Sequence, residues 1–417
     1  MKRNLAILCL LLSTFYNQSS IAQTPLITAI NENLIPIETI QPTDNFAQFD
    51  QFKKVLSTTK ILAMGEVTHG IKEFTDFRIT MIKQLIVKSN YKSIVLEADF
   101  SGVTYMNDYI CYGKGDKLKA LNNMRIGVYR NKEFLEFFDW LKAYNQQQPL
   151  ENRVKIFGSD MQMTMMAVNL INGSAKLKKE FSPEAKKGLQ TLFGLGEKAS
   201  NEQKLLLQQL VREIKDEMVQ HTDTSTFKRS LETVLQSIDF YLAGDWYKRA
   251  KVRDKAMADN ISWILEKEKQ RMILLAHNTH IAKNPVYDDI RRAGSFLKEK
   301  YKDAYYSLGF SFFSGEFEAS DRKVFKTKVY TMPEIKNKQS SEYIFSQVEL
   351  PNFILDFNSA SKNAAIKDFL NTKTYSKNIG AGYVDSNKDV KPAYMPLISK
   401  FDGIAFFRKS TALTFIP

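Results

Sequence analysis

Cysteine is nearly absent. Two occur in 417 residues, Cys9 and Cys111, too few for a disulfide framework or a multi-cysteine zinc site. Histidine is almost as scarce, with four in all: His69, His221, His277 and His280. Signature loops are missing as well. Without a G-x-S-x-G elbow, serine-hydrolase chemistry is unsupported. Without a Walker A loop or a dinucleotide glycine fingerprint, neither nucleotide cradle is expected. H-E-x-x-H is also missing, and with it the helix-borne zinc pair of that motif. There is no internal repeat and no low-complexity tract. The formal charge of +13 invites a nucleic-acid reading, yet the lysines are scattered, with no dense basic block or aromatic-basic alternation. The charge therefore reads as a basic surface, and no nucleic-acid partner is expected.

Only one apolar run suggests a membrane. Lys2 and Arg3 precede Leu5 to Leu12, and Ser20-Ile21-Ala22 follows as a small-residue cleavage site, the three parts of a secretory signal. The run is too short for a permanent span, and Cys9 lies within it instead of following a lipobox. Residues 1–22 are thus expected to be a cleaved signal peptide, with the mature chain starting near Gln23 and the protein exported to the periplasm or secreted. Cleavage would leave Cys111 alone.

The rest reads as a single domain, 23–417, with no stable membrane insertion. The stretch Ile61 to Arg78, ILAMGEVTHGIKEFTDFR, organises it: a short buried strand ends in Gly65, Glu66 and His69 follow, and helical periodicity begins after Gly70. Further strands are expected at Ser93–Glu97, Val154–Phe157, Met272–Ala276, Tyr305–Phe313, Val324–Tyr330, Phe353–Phe357 and Ile404–Phe407. Helices are expected at 46–56, 73–88 and 134–144, with turns at Ile35-Pro36 and Gln41-Pro42. From about 163 to 268 the pattern is helical. A stripe of Leu206, Leu210, Ile214 and Met218 and another of Leu231, Val234, Leu235, Ile238 and Leu242 suggest an antiparallel hairpin joined at 222–226, within an insertion at about 163–250. Residues 371–396 read as a polar loop able to cover a site. Alternating strands and helices give an α/β fold, a largely parallel sheet flanked by helices, with an inserted helical hairpin.

Four of these strands end in ionisable groups: Glu66 and His69, Glu97, Asp160, and His277 with His280. A parallel sheet brings such ends to one rim, where ligands of open α/β sheets bind. A neutral imidazole beside a carboxylate can take a proton from water. A second histidine pair can polarise a carbonyl or protonate a leaving alkoxide. The same histidines with a carboxylate would also be sensible metal ligands, so the residues alone leave both readings open.

GEVTHGIKEF (65–74), Arg78, VLEAD (95–99), FGSDMQ (157–162), RDKAMADN (253–260) and AHNTHI (276–281) together resemble the erythromycin esterase family in order and spacing, over about 45–410. The resemblance implies metal-independent hydrolysis of a small-molecule ester or macrolactone without a cofactor. In the family's resistance members that means opening a macrolide lactone. By the same resemblance His69 is the general base and Glu66 orients it, with Glu97 completing the catalytic set. His277 and His280 contact the carbonyl or the leaving oxygen, while Arg78, Asp160 and Arg253 bind substrate or hold the rim. In place of the family's tryptophan-bearing segment the chain reads MRIGVYRNKEF (124–134), with Tyr129 its first aromatic, and this region is expected to line the pocket. The fold also resembles a haem-binding, ChaN-like group, which implies a non-catalytic haem- or metal-binding alternative.

Overall fold

The computed structural model describes residues 25–38, 49–124, 126–162, 165–173, 200–219, 226–286, 288–324, 326–383 and 393–416. The signal segment 1–22, Gln41-Pro42, His221 and most of the 222–226 connection lie outside these residues. Among the described residues no helix is long and apolar enough to cross a membrane.

Among the described residues twelve strands occur in chain order: β1 (Ile35–Pro36), β2 (Ile61–Met64), β3 (Ser93–Asp99), β4 (Lys155–Asp160), β5 (Met272–Leu275), β6 (Tyr305–Asp321), β7 (Thr327–Met332), β8 (Asn352–Asp356), β9 (Lys373–Ser376), β10 (Gly382–Tyr383), β11 (Ala393–Pro396) and β12 (Gly403–Ser410). The main sheet runs β1-β8-β12-β6-β2-β5-β3-β4, with β7 and β10 on the far half of β6. Pairing from β12 through β4 is parallel, while β8 and β1 are antiparallel additions at one edge.

Both faces of the central strands are covered, which is why they are apolar at every position instead of at alternate ones. Leu62, Met64, Ile94, Leu96, Ile273 and Leu275 pack on one side with Phe74, Phe77, Phe134 and Phe138. Their neighbours Ile61, Ala63, Val95, Met272 and Leu274 pack on the other with Met257, Ile261 and Ile264. The expected helices appear as Phe49–Val55, Lys72–Ser89 and Lys132–Gln146. Between β4 and β5 come the helices Met165–Gly173, Asn201–Val219, Thr226–Leu242 and Trp246–Glu268. They form the insertion, and Trp246–Glu268 returns the chain to the sheet.

Four expectations need correction. Ile35-Pro36 is a short strand paired with β8, because proline is tolerated on an edge strand. β6 continues eight residues past Phe313, burying Phe317 and Ala319 against β7. Residues 371–396 hold β9 and β11, paired with each other, and β10, paired with β6. Leu206 is exposed, since the packed face of its helix runs through Lys204 and Val211, two turns apart and on the opposite side. The side chains at 210, 214 and 218 lie outside the description. Of the second stripe, Leu231, Val234, Leu235 and Ile238 are buried and Leu242 is half-buried.

Two glycines position the organising stretch. A Cβ on Gly65 would lie 2.1 Å from the Asn278 side-chain oxygen, and one on Gly70 would lie 1.9 Å from the Glu318 carbonyl oxygen. Gly70 bridges Glu318 on the overhanging part of β6. Gly70→Ala is expected to destabilise the protein by about 2 kcal/mol or more, as overpacking against backbone does; urea unfolding would measure it.

Candidate active site

At the carboxyl-terminal rim, β2 delivers Glu66 and His69, β3 delivers Glu97, β4 ends in Asp160 and β5 leads into His277 and His280. The four predicted strand ends therefore meet. They do so at an open cavity of about 740 Å³, whose wall includes His69, Glu97, Arg253, His277 and His280, a size suited to a drug-sized ligand.

Glu66 is buried between His69 and Arg78. Its Oε1 accepts from His69 Nδ1 at 2.8 Å, and its Oε2 accepts from Arg78 Nη2 at 2.8 Å. A carboxylate only accepts, so Nδ1 of His69 carries a proton and Nε2 is the ring nitrogen left for the cavity. Burial alone would raise the pKa of Glu66, but the charges of Arg78 and His69 outweigh it and hold the group ionised. Burial likewise opposes protonation of His69, and the Glu66 carboxylate more than reverses that, raising its pKa above the ordinary value. Arg78 is wholly buried and stays off the cavity wall. It braces Glu66 from behind, which corrects its placement as a substrate contact.

A second network surrounds Arg253. Its Nη2 donates to Glu97 Oε1 at 2.8 Å and to Asp160 Oδ2 at 2.7 Å, and its Nη1 lies 3.1 Å from His280 Nε2. Glu97 also accepts the backbone N–H of His277 at 2.8 Å. Burial raises the pKa of Glu97 and of Asp160, yet the electrostatic pull of their partners wins: His280 and Arg253 for Glu97, Arg253 for Asp160. Both carboxyls are held below their ordinary range. Asp160 is buried and contributes through Arg253, not as part of the wall.

The two later histidines differ. His277 Nε2 lies 3.0 Å from the Val67 carbonyl, to which it can only donate, and its Nδ1 accepts from the Thr279 N–H at 3.2 Å. Both ring nitrogens are therefore committed, the second as the cap of the short helix Asn278–Ile281. Burial, reinforced by the charge of His69, pushes the His277 pKa down to about 4, so the ring is neutral. His280 Nδ1 donates to Asp254 Oδ1 at 2.6 Å, and Asp254 is itself held by Arg292 and by the Ala293 N–H.

Asp254 escaped sequence reasoning, although it stands beside Arg253 in the RDKAMADN stretch. Phe240 and Trp246, from the insertion, were missed as well, whereas Asn378 to Ala381 come from the 371–396 stretch that was expected to be able to cover a site. The Ile379 and Gly380 N–H groups both donate to the Val67 carbonyl, at 3.3 and 3.2 Å, so that oxygen carries three donors. Residues 127–131 do not line the cavity. Tyr129 is buried edge-on against Phe134 with its hydroxyl toward the Leu275 carbonyl, a correction to the expectation for that segment. Cys111 is buried too, its thiol pushed up to about 12 by burial and thus unreactive at neutral pH.

Among the described residues no group of three or more histidine, cysteine, aspartate or glutamate side chains is arranged to hold a metal ion. What the rim offers is one imidazole with a free nitrogen, locked by a carboxylate, in a cavity that a cationic arginine also lines. That set can deprotonate water and stabilise a developing oxyanion.

The family model for erythromycin esterase matches residues 86–410. That range includes Glu97, Asp160, Arg253, His277 and His280 but begins after Glu66, His69 and Arg78. Erythromycin esterase type II of Escherichia coli is 25% identical over 332 residues, covering 70% of this chain and 78% of that protein. Putative hydrolase YbfO of Bacillus subtilis (strain 168) is 22% identical over 351 residues, covering 73% and 76%. Among solved structures, a succinoglycan biosynthesis protein superposes with a TM-score of 0.84 at 21% identity, over 94% of this chain and 98% of that one. A mutant erythromycin esterase in its open conformation gives 0.66 at 16% identity, over 89% and 96%. At these identities the two structures speak for the fold.

Proposed function

Because this chain belongs to the erythromycin esterase family, and is accordingly a hydrolase, we propose that it cleaves a carboxylic ester or lactone with a water activated by His69. The observation that carries the reading is the Glu66–His69 pair, which fixes the tautomer and leaves Nε2 on the cavity wall. Nε2 takes a proton from water as the hydroxyl oxygen bonds to the substrate carbonyl carbon. Glu66 stabilises the imidazolium so formed. The carbonyl oxygen gains charge beside the Arg253 guanidinium, a preorganised cation that Glu97 and Asp160 hold in place. Collapse breaks the bond to the leaving oxygen, which takes the proton back from His69. Water is consumed, and an acid and an alcohol are released.

In this reading His277 shapes the site by its cap and His280, oriented by Asp254, lines it beside Arg253. No metal or cofactor enters the mechanism. The haem- or metal-binding alternative is less well supported, since His277 has no nitrogen left to ligate with. Macrolides are the substrates suggested by the named relative, and residues 1–22 would direct the protein out of the cytoplasm. The test is hydration: chelator-treated protein is incubated with macrolides and a panel of simple esters, and mass spectrometry looks for the gain of one water. Hydration lost on chelation would defeat the metal-free mechanism, and hydration of nothing would defeat the esterase reading.

The raised pKa of His69 gives a pH prediction with a definite sign. The base works only when unprotonated, so kcat/KM should fall with acid along a limb whose midpoint lies above the ordinary value of 6.5. Glu66→Gln removes the charge responsible, and in that variant the residual activity should show its midpoint at lower pH. An unmoved limb in the pH–rate profile would rule out this pairing as the origin of the shift.

A further inference from the structure

Behind the wall formed by Thr279 and Asn378 lies a second, much smaller cavity of about 20 Å³, lined also by Asn278, Glu342, Ser376 and Lys400. It has room for one water-sized or halide-sized occupant. Its charges are unbalanced. Lys400 is 3% exposed, and among the described residues its Nζ has one hydrogen-bond partner, the neutral Ser376 hydroxyl. The Nζ of half-buried Lys377 donates to the Phe312 and Phe313 carbonyls at 2.7 and 2.8 Å. The lone buried carboxylate, Glu342, is occupied by the Ser311, Ser340 and Ser341 hydroxyls and the Lys377 N–H. Neither ammonium lies within salt-bridge distance of it. Lys400 is thus a buried amine with no carboxylate at salt-bridge distance, and its charge, when buried without a counter-ion, is costly.

We propose that this cavity is a binding site for a single monovalent anion of chloride size, held by Lys400 and balancing its buried charge. A monatomic ion suits both the volume and the missing charge, and it accepts the N–H groups of Lys400 that the protein leaves unused. Burial depresses the basicity of Lys400, bringing its pKa down to about 8, the cost that an adjacent anion would relieve. The site also bears on the larger cavity. Thr279 Oγ1 donates to Asn378 Oδ1 at 3.2 Å, and both residues line the two cavities, so an anion here braces the shared wall.

The experiment uses bromide and chloride as probes. Crystals of the wild-type protein grown in bromide should give an anomalous peak beside Lys400 Nζ. In solution, chloride at constant ionic strength against gluconate should raise Tm by about 1–3 °C per tenfold increase once the site saturates. Lys400→Met should lose that response, while the wild-type bromide peak remains decisive should the variant fail to fold. A solvent peak without anomalous signal at this position, or a Tm that chloride and gluconate change equally, overturns the proposal.

Discussion

His69→Ala should abolish hydration of every substrate that the wild-type protein turns over, lowering kcat by roughly 10³-fold or more, the upper range of what a positioned general base contributes. The fold should survive. His69 sits in the turn between β2 and the helix Lys72–Ser89, and apart from the Glu66 carboxylate its ring makes no hydrogen bond on which the sheet depends. Glu66 keeps its second partner, Arg78, at 2.8 Å, so no carboxylate is stranded. Circular dichroism and a thermal melt should therefore match wild type to within the small change expected for a group at the cavity edge. Kinetics and melt together are discriminating. Turnover that persists in His69→Ala would show that some other group activates the water, whereas turnover lost along with the fold would say nothing about the base.

Arg253→Met should act in the opposite way, through stability as much as rate. The substitution keeps the length and leaves Glu97 and Asp160 buried without their shared cation, a loss of about 3 kcal/mol or more at neutral pH. The sign with pH follows from the two carboxyls. In the wild type their folded pKa values are depressed, so their contribution is present above the ordinary carboxylate range and is lost as pH falls through the folded values. In the variant, burial is opposed less, both values rise, and protonation relieves the strain. The gap between wild type and variant in urea unfolding should therefore narrow from pH 7 to pH 5. A gap that stays constant would mean that the network is not held by charge.

The main sheet was legible because its strands are short, fully apolar and end in residues that change character abruptly: Met64 to Glu66, Leu96 to Glu97, Leu275 to His277. Parallel pairing then brings those ends to one rim, and residues separated by two hundred positions become neighbours. What could not be read was anything set by packing between distant segments. The resemblance singles out Arg78 as a residue that binds substrate or holds the rim, and only the three-dimensional arrangement shows that it lies beneath Glu66. Asp254 is adjacent in sequence to Arg253 but serves a different partner, because successive helix positions point about 100° apart. Leu206 belongs to a plausible apolar stripe, yet the helix turned its Lys204–Val211 side inward. The long reach of β6 was obscured by Gly315, Glu316 and Glu318, which weaken the apolar pattern although β7 still pairs there.

The Val67 carbonyl has a consequence for how the protein would choose among ligands. One oxygen two residues before His69 receives the ring of His277 and the backbone of Ile379 and Gly380. His69 and the 379–380 part of the cavity wall are thus tied to a single peptide unit. A ligand too large for the cavity presses on 379–380, and the load reaches the turn that aims Nε2. Discrimination by size would then show in kcat more than in KM: poor substrates would still bind, but the proton transfer they depend on would be out of line.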